Sequence, residues 1–73
     1  MKDIKLIEAV VVSYYYGNKD IKAEKLEEIL KDSLNVEIGD VTIKDKLIKI
    51  CYGNKGKTVI FDTHNDKIKL KKE

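Results

Sequence analysis

The chain has 73 residues, 42% of them hydrophobic and 38% charged, and its fifteen basic side chains, all lysine, stand against thirteen acids for a formal net charge of +2. This is apolar material for one small core, which excludes a disordered chain, and no apolar run approaches the roughly 20 residues of a spanning helix. Without arginine the usual tool for bidentate phosphate and guanine recognition is missing, and a lone cysteine, Cys51, excludes an internal disulfide and a stapled secreted scaffold.

Met1 to Lys5 reads as a polar lead-in. Residues 10–16, VVVSYYY, follow within a nearly continuous apolar stretch from Leu6 to Tyr16. Two periods fit. Ile4, Ile7, Val11, Tyr14 and Tyr15 fall near helical spacing, whereas three consecutive valines and three consecutive tyrosines, closed by Gly17-Asn18, favour a strand. The strand is the expectation. From Ile21 the pattern turns helical, with Leu26, Ile29, Leu30, Ser33 and Leu34 on one stripe, Asp20 as N-cap and Asn35 as a left-handed stop.

Short alternating segments fill the remainder. Val36–Ile38 is expected to stop at Gly39-Asp40. Val41 and Ile43 then alternate with polar neighbours up to a turn at Asp45-Lys46. Ile48, Ile50 and Tyr52 lead into the glycine-rich turn GNKG, Gly53 to Gly56. Val59, Phe61 and Thr63 precede a turn at Asn65-Asp66, and Ile68 and Leu70 alternate with lysines. The expected fold is α+β in a single domain, residues 1–73: a strand, an amphipathic helix, then an antiparallel meander of three or four strands with the helix on one sheet face. The domain is expected to be a piece of a longer protein.

One helix covers one sheet face. The other face would collect one parity of the first strand, including Val11 and Tyr15, together with Leu47, Cys51 and Ile60 from the meander. An uncovered apolar surface of several hundred Å² marks an interaction site. These five residues are the candidate partner interface, and tyrosine suits that role because it joins apolar area to a polar tip.

Catalytic, metal and cofactor motifs are weaker. Gly56-Lys57-Thr58 has the end of a phosphate-binding loop, but Cys51 stands where the first glycine is needed and a strand-like segment follows where a helix is required. Asp62, His64 and Asp66 are too few for a zinc site. Cys51 with His64 lacks an orienting group, a pocket and oxyanion donors. The expectation is a chain with no catalytic residues, no metal and no cofactor. Lys67, Lys69, Lys71 and Lys72 form a basic stripe that leaves RNA contact as the alternative, not the favoured one, because acids are interspersed and an aromatic RNA-binding signature is absent from the sequence.

LEEILKDSLN (Leu26 to Asn35), DKLIKI (Asp45 to Ile50), GKTVIFDT (Gly56 to Thr63) and KIKL (Lys67 to Leu70), with EAVVVSYYYGN (Glu8 to Asn18) before them, give an order of segments that resembles a known family. It is similar to the C-terminal domain of the metallo-β-lactamase/β-CASP endonuclease subunit of the cleavage and polyadenylation specificity factor, which is related to the Integrator endonuclease. The chain departs from that pattern in a longer hairpin, Gly53-Asn54-Lys55, and in a lysine-rich end after Leu70. The resemblance implies a non-catalytic heterodimerisation module in mRNA 3′-end processing. It implies docking to the corresponding domain of the paralogous inactive subunit, a symplekin-type scaffold as further partner, and a nuclear location within an otherwise intracellular expectation.

Overall fold

The computed structural model describes residues 3–72; Met1 and Lys2 of the polar lead-in, and the side chain of Lys72 in the basic stripe, lie outside the described residues. The order is helix α1 (Asp3–Gly17), helix α2 (Ala23–Ser33), strands β1 (Ile38–Lys44), β2 (Leu47–Tyr52) and β3 (Lys57–Asp62), a 3-10 turn (His64–Asp66), and strand β4 (Lys69–Lys72). The four strands form one antiparallel sheet in chain order, so the α+β meander stands as the sequence implies.

The first element is the correction. VVVSYYY lies in a 15-residue helix, not a strand. The helical spacing decides it: Ile4, Ile7, Val11 and Tyr15 come into line on one side of α1 and are all buried, Ile7 and Val11 completely. A strand over the same residues would send Val11 and Tyr15 to the face opposite Val10, Val12 and Tyr14, while the β propensity of valine and tyrosine is worth only tenths of a kcal/mol each. Core burial of large side chains is worth about 1.5–3 kcal/mol each and outweighs it.

α2 buries Leu26 and Leu30 beside this stripe, with Ile29 and Leu34 partly covered. Its ends differ from the expected caps. The N-cap is Lys22, in extended conformation and without a side-chain hydrogen bond, and Asp20 instead pairs with Lys22 at 3.6 Å on the surface. The helix stops because Leu34 turns extended and its N–H is donated to the Leu30 carbonyl, not because Asn35 turns left-handed.

Gly39-Asp40 does not end a strand either. β1 runs through it with a register shift between Ile38 and Val41, and a Cβ built on Gly39 would stand 3.4 Å from the Cβ of Cys51. A bulge with a glycine at the close approach keeps Ile38 and Val41 both in the core. On the helix side, cross-strand rows Val41–Ile50–Val59 and Ile43–Ile48–Phe61–Leu70 supply the sheet half of the core. Two helices over one face of a four-stranded sheet make a two-layer fold.

Candidate functional site: two uncovered faces

The helix layer and the sheet each leave one side uncovered, and the candidate interface residues divide between core and surface. Val11 and Tyr15, expected on the open face, are core residues at 0% and 4% exposure. They point inward because α1 is a helix, so no partner reaches them. Leu47, Cys51 and Ile60 are half-buried and lie on the sheet face away from the helices.

That sheet face is mixed in character. Thr42, Lys49 and Ile60 form one cross-strand row, and Leu47, Asp62 and Lys69 another beside Lys44. Thr42, Lys44, Asp45, Leu47, Lys49 and Ile60 together line a shallow depression. Cys51 pairs with Thr58 across the strands, their Sγ and Oγ1 atoms 4.0 Å apart. Each apolar side chain here has a lysine or threonine as neighbour, so the surface is a basic lattice with small apolar insets.

The outer side of α1 is different. On a helical projection Leu6, Ala9, Ser13 and Tyr16 fall opposite the buried stripe, flanked by Val10 and Val12. Ala9 and Ser13 are exposed, Leu6, Val10, Val12 and Tyr14 are half-buried, and Tyr16 is 53% exposed. Lys5 and Glu8 are the charged residues beside this stripe. One shallow groove runs along each of its sides: Lys5, Glu8, Ala9, Val12 and Ser13 line the first, while Ala9, Val10, Ser13 and Tyr14 meet Ile29 and Ser33 of α2 in the second. The Tyr14 hydroxyl accepts a hydrogen bond from the Asn18 side chain at 3.1 Å, and the Tyr15 and Tyr16 rings meet edge to face at 5.5 Å. Reading residues 10–16 as a strand hid this surface. The signal was present in the apolar residues that remain after the i, i+3, i+7 stripe is assigned to the core.

The polar constellation at the end of β3 is built from a turn. The Asp62 carboxylate accepts the His64 backbone N–H at 2.9 Å and also engages His64 Nδ1. The backbone donor and then the imidazole hold the Asp62 carboxyl below its ordinary value, with the nearby Lys71 adding to the effect. His64 sits in the 3-10 turn, not on the strand, and Asp66 lies apart in a cleft with Tyr15, Lys19, Asp20 and Lys46. Among the described residues, His, Cys, Asp and Glu side chains form no group of three able to hold a metal ion. Cys51 sits four residues along the strand register from Asp62, roughly 13 Å at ordinary strand rise, so the thiol and imidazole do not form a pair. Lys57 and Thr58 belong to β3, and a helix N-terminus does not follow Gly56. No helix among the described residues is long and apolar enough to cross a membrane.

Comparison of the chain with protein-family models, curated proteins and solved structures finds no match in any of the three.

Proposed function

We propose that this chain is a protein-docking module whose binding surface is the outer face of α1. The observation that carries the reading is that α1 is apolar on more sides than its own fold uses. A surface helix of a globular domain needs an apolar stripe on one side and a polar one on the other; one that is apolar all round is normally enclosed. Here Ile4, Ile7, Val11 and Tyr15 fill the core and Val10, Val12 and Tyr14 pack against it with part of their surface still open, while Leu6, Ala9 and Tyr16 lie on the side opposite the buried stripe, Tyr16 the most exposed. In a domain this small, such area is best used by a second chain. Ser13→Glu places a charge in the middle of the exposed stripe without touching the core. It is expected to leave the fold intact and abolish association, and a variant that associates as the parent does would overturn the proposal.

The finer form of this reading takes its setting from the family resemblance: heterodimerisation in an mRNA 3′-end-processing endonuclease, with the partner a paralogous domain. It rests on the segments from Leu26 onward, because Glu8–Asn18, read there as a strand, is helical as far as Gly17. Binding to the purified paralogous domain tests it.

A second reading draws on the open sheet face. Lys44, Lys49 and Lys69 share it, and Lys71 lies close enough to act on the Asp62 carboxylate. Such a face suits the phosphates of a single-stranded RNA, bound without sequence preference. Titration with a labelled oligonucleotide at two salt concentrations tests it: binding that weakens steeply with salt and is lost in Lys49→Glu supports it, and no binding at low salt removes it.

A further inference from the structure

We infer that the cleft between the C-terminal end of α1 and the two turns at one end of the sheet binds a free α-amino acid with an aliphatic side chain, held by the Tyr15 hydroxyl and the charges of Lys19, Lys46 and Asp66. The site is separate from the outer stripe of α1 and from the open sheet face, so it does not depend on either surface having a partner.

A polar atom in the core carries the inference. Tyr15 belongs to the buried stripe of α1 and is 4% exposed. A tyrosine hydroxyl at such a position normally finds a hydrogen-bond partner, because leaving it unpaired costs free energy that a phenylalanine would not incur. Here it has no partner among the described residues. Among those residues no sealed side-chain oxygen or nitrogen goes unpaired either, so the small opening left to Tyr15 lies at its hydroxyl. Tyr15 lines the cleft, and that is where the opening leads. It is too narrow for a protein surface and wide enough for a small molecule.

The remaining lining selects the molecule. The cleft holds about 220 Å³, below the roughly 300–1,000 Å³ of sites for drug-sized ligands, which limits the occupant to one small metabolite. Ile21, Ile43 and Ile48 form its apolar wall. Lys19, Lys46 and Asp66 stand around that wall. Among the described residues none of these three is in an ion pair, whereas Asp20 beside them is taken by Lys22. Two cations, one carboxylate and an aliphatic wall match a molecule with a carboxylate, an ammonium and an aliphatic side chain. The lysines and the Tyr15 hydroxyl donate to the ligand carboxylate, Asp66 accepts from its ammonium, and its side chain lies on the isoleucines. The backbone that carries these groups is fixed in advance. Lys46 and Asp66 are held left-handed, at φ 64° and 56°, and Thr63 donates both its N–H and its hydroxyl to the Lys46 carbonyl. A rim set in this way has less order to gain when the ligand enters.

Backbone amide shifts followed by NMR during titration with leucine test the inference. Saturable shifts are expected at Lys19, Lys46, Thr63 and Asp66, with a dissociation constant of about 1–10 mM, since solvated charges contribute little each. Isocaproate, which lacks the ammonium, and isopentylamine, which lacks the carboxylate, are expected to bind severalfold more weakly. Tyr15→Phe keeps the ring in the core and removes only the hydroxyl; it is expected to weaken leucine severalfold in a folded protein. Lys46→Gly relaxes the left-handed turn, so it is expected to raise stability while weakening leucine, a separation that a purely structural role for Lys46 would not give. Asp66→Asn keeps a residue type that tolerates left-handed backbone and removes the charge; it is expected to weaken leucine and leave isocaproate unchanged. No saturable shift at about 50 mM leucine overturns the inference. So do shifts scattered away from the cleft, binding that Tyr15→Phe leaves unchanged, or isocaproate binding as tightly as leucine.

Discussion

Among the described residues, four outside glycine take positive φ, and all lie in the two turns at one end of the sheet: Asp45 and Lys46 between β1 and β2, Asn65 and Asp66 before β4. The Lys46 carbonyl accepts both the backbone N–H and the hydroxyl of Thr63, each at 2.9 Å, so the first turn is tied to the segment leading into the second. A two-residue hairpin turn with both residues left-handed favours Asn-Gly, and lysine at the second position is strained. Lys46→Gly is expected to raise stability by up to about 1 kcal/mol, read as an increase in the denaturant midpoint at constant slope. The Asp62 carboxyl, held below its ordinary value by the His64 backbone N–H, gives a pH signature. Its folded pKa lies below its unfolded one, so its contribution is full above the unfolded pKa and is lost as pH falls through the folded one. Asp62→Asn is therefore expected to lower the melting temperature slightly at neutral pH, with the difference from the parent closing in acid. At this scale the sequence was readable where turn chemistry is local: Asp45-Lys46, Gly53 to Gly56 and Asn65-Asp66 all turn where their residue types say. The caps of α2 were not, because Lys22 and Leu34 end that helix through backbone geometry that no residue type announces.

Helix α1 works on two sides, and substitutions should separate them. Ile7→Ala empties a fully buried site and is expected to cost about 2–5 kcal/mol, a large share of the roughly 4–11 kcal/mol that stabilises a domain of this length. Ser13→Glu, on the same helix but exposed, is expected to change stability by less than about 0.5 kcal/mol, since it disturbs no buried contact. Chemical denaturation of the two variants checks both values. The same element shows why residues 3–17 misled. Their local composition favours extended backbone, and their long-range consequence, a stripe matching α2 and the sheet, favours helix. Only the second is a property of the whole fold. From Ala23 onward composition and periodicity agree, and there helix and strand positions follow the sequence pattern, apart from the bulge that carries β1 through Gly39-Asp40.

At the scale of the molecule, two helices cover one side of a four-strand sheet and leave two surfaces of different chemistry. The outer stripe of α1 is apolar with charge confined to its margin; the open sheet face is basic with apolar insets. The sequence reading expected an uncovered apolar face on the sheet; Leu47, Cys51 and Ile60 lie on that face, half-buried among lysines and threonines, whereas Val11 and Tyr15 lie in the core. It could not foresee a second one along Leu6, Ala9, Ser13 and Tyr16, because that stripe exists only when residues 3–17 are helical. Salt separates the two: association through α1 should persist from low to high ionic strength, while contact between the sheet face and an acidic partner should fall away.

The most direct measurement captures partner proteins from cells on the parent chain, on Ser13→Glu and on Lys49→Glu, each variant first shown to be folded. The account predicts that specific partners are retained by Lys49→Glu and lost by Ser13→Glu. Retention by Ser13→Glu with loss in Lys49→Glu would contradict it and move the docking surface to the sheet.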